Sequence, residues 1–182
     1  MRISFIIILF HIAYSEGVHR GCMNEHNSRS YGVRPTLSET YLSPSEHFLI
    51  HYGNSDSNEA PIQEDLNPQN GIPDYVEEVG LIADLTRTIL IDSMGFRPEI
   101  DDEDGKYDIY IVNLGSGFNF AYGWNYIDDD DGIEGTSWVE IDNDYLEDSY
   151  YTNGLDAMRA TVAHEFFHAI QRAYHERHSG TY

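Results

Sequence analysis

The chain has 182 residues, and 32 acidic against 10 basic side chains give it a formal net charge of -22. A surface this negative repels nucleic acid and anionic membranes, so neither is an expected partner. It suits a medium that contains salt or calcium, where cations screen or bridge the carboxylates. We expect most of the charge to be a solvated acidic surface, with only a few carboxylates forming a site.

The first residues have the pattern of a secretory signal peptide. Arg2 precedes an apolar run over residues 3–12, and Ala13 and Ser15 occupy the two positions that a signal peptidase reads. The run is too short to span a bilayer, and no later segment has the length of a transmembrane helix. We therefore expect residues 1–15 to be a signal peptide and the protein to be secreted; the alternative is a buried N-terminal strand.

Residues 16–45 are polar and are expected to form an N-terminal leader with little core of its own. This stretch contains Cys22, the only cysteine, so no disulfide is expected within the chain. An odd cysteine in an exported protein indicates either a partner elsewhere or a free thiol. Residues 46–182 have the length of one domain.

The first convincing strand is residues 47–52, which carry β-favouring side chains. A helix is predicted from Asp74 to Met94, with Gly95 as its stop. Asp74 is its expected N-cap, and Glu77 would complete a capping box. The buried face is predicted from apolar residues at three- and four-residue steps. These are Val76, Val79, Leu81, Ile82, Leu85, Ile89 and Leu90.

Two more strands are predicted at residues 107–114 and 137–142. The stretch between them is rich in glycine, aromatic residues and aspartate. Its four consecutive aspartates, residues 128–131, are interpreted as a solvated loop, with calcium binding as the alternative.

The last predicted helix runs from Asn153 to His175, with Asn153 as its cap and Asp156 closing a capping box. Its expected buried face is Leu155, Met158, Val162, Phe166, Ala169, Ile170 and Ala173. Strands together with two long helices predict the α+β class, with a mixed β-sheet.

This last helix carries the sequence H-E-x-x-H at residues 164–168. Four residues turn an α-helix by slightly more than one turn and advance it by about 6 Å, so both imidazoles leave the same face. The pattern predicts His164 and His168 as ligands of one Zn²⁺. Glu165 projects roughly 100° away, where it reaches a water on the metal as the catalytic base. The alternative is a pair of histidines with no metal.

A catalytic zinc needs a third protein ligand. The extended metzincin pattern would require histidine and glycine where Tyr174 and Gln171 stand. His175 lies on nearly the same helical face as His168 but about 10 Å further along the axis, so it could share the metal only if the helix broke. His178 would need a similar break.

Five stretches carry a family resemblance, and they occur in one order along the chain. They are SPSEHFLIHY from residue 43, NGIPDYVEEVG from 70, YDIYIVNLGSG from 107, SWVEIDNDY from 137 and TVAHEFFHAIQ from 161. Together they resemble a group of secreted bacterial metalloproteases of the zincin class. The resemblance covers most of the chain from Arg34 onward. It implies a zincin-like fold, export, and a zinc peptidase with the ligands and base named above.

The resemblance also implies an acidic third ligand on a later helix, as in gluzincins. Residues 46–182 are then expected to be a partial catalytic domain, with a Glu beyond Tyr182 and a C-terminal subdomain missing. In that case the lower side of the last helix would face water. The apolar residues expected to be exposed there are Phe166, Phe167, Ile170 and Tyr174.

A second metal site is suggested by the segment before the first helix. Asp65, Asn67 and Asp74 resemble positions of a calcium loop of D-x-N-x-N-G-x-x-D-x-x-E type. One extra residue stands between Asp65 and Gly71, and Pro68 is unusual in such a loop. The alternative is an Asn/Gly/Pro turn that leads into the helix cap.

The favoured function is that of a secreted zinc-dependent endopeptidase acting on peptide or protein substrates. Glu165 would take a proton from the attacking water and deliver it to the leaving amine. Strand 137–142 is expected to line the cleft as an edge strand that pairs with the peptide. The alternative is a non-catalytic, calcium-binding structural or adhesion module with a degenerate zinc site, although the intact Glu165 argues against it.

Overall fold

The structure is a computed structural model. It describes residues 32–54, 57–58, 65–100, 104–115, 121–128 and 135–175. The expected signal peptide, Cys22, most of the aspartate run and His178 lie outside these residues. No helix among the described residues is long and apolar enough to cross a membrane.

A mixed five-stranded sheet and two helices form the described part of the chain, which confirms the α+β class. The strands are β1 (Glu39–Leu42), β2 (Phe48–Tyr52), β3 (Tyr107–Val112), β4 (Gly123–Ile127) and β5 (Ser137–Asp142). They lie in the order β1-β2-β3-β5-β4. The inner strands β2, β3 and β5 are parallel, and each edge strand is antiparallel to its neighbour.

The three predicted strands are therefore present, and two more complete the sheet. Strand 137–142 has the predicted bounds, but it pairs with β3 on one side and β4 on the other. The expectation that it is an edge strand was wrong. The edge on this side of the sheet is β4, whose glycine and asparagine disfavour a strand by local propensity alone.

The first helix, α1 (Asp74–Arg87), continues into a π-helical segment (Thr88–Ser93). Gly95 follows with φ +75°, as expected for a helix stop. The capping box was wrong: the N-cap is Pro73, and the Asp74 carboxylate accepts backbone N–H groups from residues 66 and 67. Glu77 instead accepts the side-chain amide of Asn70.

The buried face of α1 differs in part from the predicted one. Leu81, Leu85 and Ile89 are 50%, 54% and 45% exposed. The face that packs on the sheet uses Tyr75, Val76, Val79, Gly80 and Ala83. The small residues allow a close approach, since a Cβ at position 80 would lie 3.0 Å from the Tyr41 ring.

The second helix, α2 (Gly154–His175), buries nearly the whole predicted face, with Leu155 as its exposed member. Asn153 donates its side-chain amide to the Tyr145 carbonyl, and Asp156 accepts from Arg159, so the predicted capping box is not formed. The core lies between the two helices and one face of the sheet.

The prediction that the lower side of α2 faces water was wrong for most of its residues. Phe166 and Ile170 are both 0% exposed. Phe167 packs edge-on against Phe96, with ring centroids 5.6 Å apart. Tyr174 is partly exposed, and its hydroxyl accepts the Arg97 backbone N–H at 3.0 Å. The connection after the π-helical segment therefore covers this side of the helix.

The other face of the sheet is covered by the segment before β1, so part of the expected leader belongs to the fold. Arg34 pairs with Asp108 and, at 2.5 Å, with Asp128. Its guanidinium also lies 5.4 Å from the centroid of the Trp138 ring. Trp138 is fully buried in a small second core on this face.

Candidate metal centre

Helix α2 brings His164 and His168 together on one face, as their four-residue spacing requires. Their ring centroids are 4.9 Å apart, and the ring planes are nearly perpendicular at 86°. His164 is exposed and His168 is half-buried. Two imidazoles so placed can direct nitrogens toward one point outside the helix.

Gln171 orients the second of these rings. The Nδ1–H of His168 donates to the Gln171 Oε1 at 2.8 Å, which leaves the lone pair on Nε2. Burial lowers the pKa of His168; the Gln171 hydrogen bond opposes this shift, and His164 and Arg172 add to it. The lowered pKa favours the neutral ring, which is the form that binds a metal ion.

Glu165 lies between the two histidines in sequence but turns into the protein, where it is 2% exposed. Burial raises the pKa of its carboxyl to about 7. The side chain lies against Gly123, the first residue of β4. A Cβ at that glycine would come within 2.8 Å of the Glu165 Cγ. A carboxyl with a pKa near neutrality is suited to exchange protons with a reacting group.

A cavity of about 390 Å³ opens beside Glu165 and His164. The other residues that line it are Tyr122, Thr152, Ala157, Ala160 and Thr161. Tyr122 is held in place because its hydroxyl accepts the backbone N–H groups of Tyr151 and Thr152, at 2.8 and 3.0 Å. The cavity has room for a ligand side chain. Its position was not predicted, because its walls come from α2 and from two segments that precede it.

The strand next to this cavity is the edge strand β4. Asp128 donates its N–H to the Thr136 carbonyl, and Asp142 donates to the Tyr122 carbonyl. Hydrogen-bonded positions alternate along an antiparallel pair, so Gly123, Asn125 and Ile127 direct their backbone polar groups away from β5. Within the described residues no other strand pairs with this side of β4.

No third ligand joins the two histidines within the described residues. One group of three histidine, cysteine or acidic side chains lies close enough there to hold an ion, and it is formed by Asp142, Asp144 and Glu147. The side chain of His175 and all of His178 lie outside the description.

This acidic group begins at the last residue of β5 and was not predicted from the sequence. The buried Asp142 carboxylate accepts four backbone N–H groups at 2.7 to 3.1 Å, which ties together the loops after β3 and β5. The donors are Leu114, Gly115, Asp144 and Tyr145. Burial, helped by the charges of Asp142 and Asp144, raises the pKa of Glu147.

The predicted calcium residues lie in the turn before α1 and, for Asp74, at the first position of that helix. Asp65 accepts the backbone N–H groups of Asn70 and Gly71 at 2.9 and 2.6 Å. Asp74 accepts two more from Leu66 and Asn67. These hydrogen bonds close the turn, and the carboxylates of the segment do not form a close group of three. Calcium binding by Asp65, Asn67 and Asp74 therefore stays a prediction.

Comparison of the chain with protein-family models, with curated proteins and with solved structures found no match. The resemblance to secreted zincins accordingly stays a prediction. Helix α2, the edge strand β4 and the cavity beside Glu165 are the features that bear on function.

Proposed function

We propose that this protein is a secreted zinc-dependent endopeptidase, with His164 and His168 as zinc ligands and Glu165 as general base. One observation carries the proposal. Two imidazoles 4.9 Å apart lie on the same helix as a buried carboxyl that adjoins them in sequence, next to a strand edge and a cavity. The histidine pair, the carboxyl, the strand edge and the cavity each have a role in peptide hydrolysis, and all four occur together.

The histidine pair fits a zinc ion in donor type and in spacing. Zinc binds neutral imidazole, and the Gln171 contact selects the tautomer with its lone pair on Nε2 of His168. When bound, the metal would polarise the scissile carbonyl and lower the pKa of water. The proposal includes a zincin-like fold and an acidic third ligand outside the described residues, as the resemblance implies.

Glu165 has the proton-transfer role. It takes a proton from the attacking water and delivers it to the amine that leaves when the peptide C–N bond breaks. Burial favours this role, since it raises the pKa of Glu165 to about 7, between that of an ordinary carboxyl and that of the leaving amine. The carboxylate form accepts the proton, and the neutral form returns it.

The substrate backbone would be held by β4. An extended peptide can add to a sheet edge through main-chain hydrogen bonds, and the outward-facing groups of Gly123 and Ile127 flank the residue at the strand centre. One side chain of the peptide would enter the cavity beside Glu165. Its lining by Ala157, Ala160 and Tyr122 favours an uncharged side chain there.

Zinc content and peptide hydrolysis of four variants test this function. The parent, tested as the full-length protein, should hold about one zinc per chain, and His164→Ala and His168→Ala should lose it. Glu165→Gln should keep the zinc and lose about 10²- to 10⁴-fold in hydrolysis. His47→Ala, which changes a histidine beside β2, is the control. Equal zinc in all variants, or undiminished turnover by Glu165→Gln, would refute the proposal.

A non-catalytic calcium-binding module is the second candidate. The close carboxylate group after β5 and the formal charge of -22 favour it. It predicts a calcium-dependent melting temperature and no zinc-dependent hydrolysis. The same protein samples, measured with calcium and with zinc, separate the two functions.

A further inference from the structure

Arg172 connects α2 to the edge strand. Its Nε donates to the Asn125 Oδ1 at 2.6 Å, and its Nη2 donates to the Asn125 carbonyl at 3.1 Å. Arg172 follows Glu165 by seven residues, so both lie on one side of the helix, about 10.5 Å apart along its axis. One guanidinium therefore holds both the side chain and the backbone of the central residue of β4.

Asn125 is also held from the interior of the sheet. It is 8% exposed, and its Nδ2 donates to the Tyr107 hydroxyl at 2.9 Å. That hydroxyl is in turn 2.9 Å from the Ser137 Oγ. The amide thus bridges α2 to both β3 and β5. Buried polar networks whose members are satisfied favour a single arrangement of the elements they join.

Strand β4 contacts α2 at two positions, Gly123 and Asn125, through two different types of interaction. At Gly123 the strand approaches Thr161 and Glu165 closely because it has no side chain there. That contact is a close packing contact without a hydrogen bond, so the register of β4 at this end comes from its ladder with β5. At Asn125 the two hydrogen bonds from Arg172 are directional, and they define the distance between the centre of β4 and α2.

We propose that Arg172 is a positioning residue, which clamps Asn125 so that β4 presents a bound peptide to Glu165 at one height and register. The clamp also occupies the Asn125 carbonyl, one of the outward-facing acceptors of the edge. A peptide on β4 is therefore paired through Gly123 and Ile127 rather than along the whole strand. This inference rests on the proposed peptidase function.

The test compares Arg172→Gln with Arg159→Gln. Arg159 lies on the same helix, but it is exposed and pairs with Glu78 and Asp156, away from β4. For Arg172→Gln we expect KM for a peptide substrate to rise about tenfold, with kcat changed less and zinc content unchanged. Arg172→Lys, which retains one donor at Asn125, should recover part of the loss. Arg159→Gln should leave both constants unchanged.

A purely structural role for Arg172 would lower the melting temperature and leave KM unchanged, and that result would overturn the proposal. If Arg172→Gln does not fold, the test uses Arg172→Lys instead. A KM of Arg172→Lys equal to that of the parent would also overturn the proposal.

Amide hydrogen exchange separates this inference from the proposed function. Trp124 and Tyr126, whose N–H groups bond to β5, should exchange about tenfold faster in Arg172→Gln than in Arg159→Gln. If the protein binds no zinc and hydrolyses no peptide, but Arg172→Gln still exchanges faster than Arg159→Gln, only the proposed function is refuted. Equal exchange rates in the two variants would refute the clamp.

Discussion

At the scale of single residues, the helix carrying the candidate zinc ligands also carries a carboxyl that is almost completely buried. Glu165 is 2% exposed, and burial is the cause of its raised pKa. Ionising a carboxyl without water costs free energy, which the folded protein avoids by retaining the proton. The same property that suits a general base therefore makes Glu165 a source of pH-dependent stability.

We predict that the metal-free protein loses stability as the pH rises from about 4.5 to about 7. In that range the folded state keeps a proton on Glu165 that the unfolded state has released, since the folded pKa is raised to about 7 from 4.5. The loss attributable to this group is roughly 3 kcal/mol. Urea unfolding in the presence of a chelator, with Glu165→Gln as the comparison, measures it. Parallel pH profiles for the parent and Glu165→Gln would contradict the prediction.

Gly123 is the second residue whose effect can be isolated. Alanine there would place a Cβ 2.6 Å from the Thr161 Cγ2 and 2.8 Å from the Glu165 Cγ. We expect Gly123→Ala to destabilise the protein by about 1–3 kcal/mol, because two closely packed elements must separate. Adding Thr161→Ser removes the nearer methyl group and should restore part of the loss. A stability gain in Gly123→Ala, measured by urea unfolding, would indicate that β4 and α2 are not in close contact.

At the scale of elements, the start of α1 depends on the turn that precedes it. Asp65 and Asp74 each accept two backbone N–H groups of this turn, while the helix itself has no side-chain cap. The turn is thus stabilised by carboxylates that keep further lone pairs. Oxygen atoms of this type are the ligands that calcium prefers.

If calcium binds at this turn, millimolar calcium should raise the melting temperature of the parent, and Asp65→Ala should abolish that rise. The readout is the calcium-dependent increment, since Asp65→Ala also removes hydrogen bonds to Asn70 and Gly71 and should lower the melting temperature in either condition. Asp92→Ala, on the exposed π-helical segment, is the control. An increment that survives in Asp65→Ala, or a parent that does not respond to calcium, would favour the simple turn.

At the scale of the whole molecule, the dominant property is the formal charge of -22. Exposed carboxylates that are not paired repel one another more strongly in the compact state than in the unfolded chain. Salt screens this repulsion over a distance of about 10 Å at 0.1 M ionic strength.

We therefore expect the melting temperature to rise by several degrees when NaCl is increased from about 0.05 to 0.5 M. At pH 4, where many carboxylates approach neutrality, the rise should become smaller. Differential scanning calorimetry at the two pH values gives both results. A melting temperature that falls with salt at pH 7 would mean that ion pairs such as Arg34 with Asp128 outweigh the repulsion.

The sequence by itself determined the elements whose pattern is local. Strands 48–52 and 137–142 were predicted within a residue or two, and so was the extent of the helical regions, because periodicity and glycine stops act over a few residues. The approach of His164 to His168 follows in the same way, since helix geometry alone brings residues four apart onto one face.

Only the tertiary structure decided which surfaces meet. Whether strand 137–142 is an edge depends on β4, a segment whose own propensity is weak. Leu81 and Leu85 belong to an apolar pattern wide enough for more than one buried face, and the neighbouring strand and helix select the face that contains Gly80. The clamp between Arg172 and Asn125 joins residues 47 positions apart. Such pairings are absent from local pattern, because their free energy arises only when distant segments exclude water together.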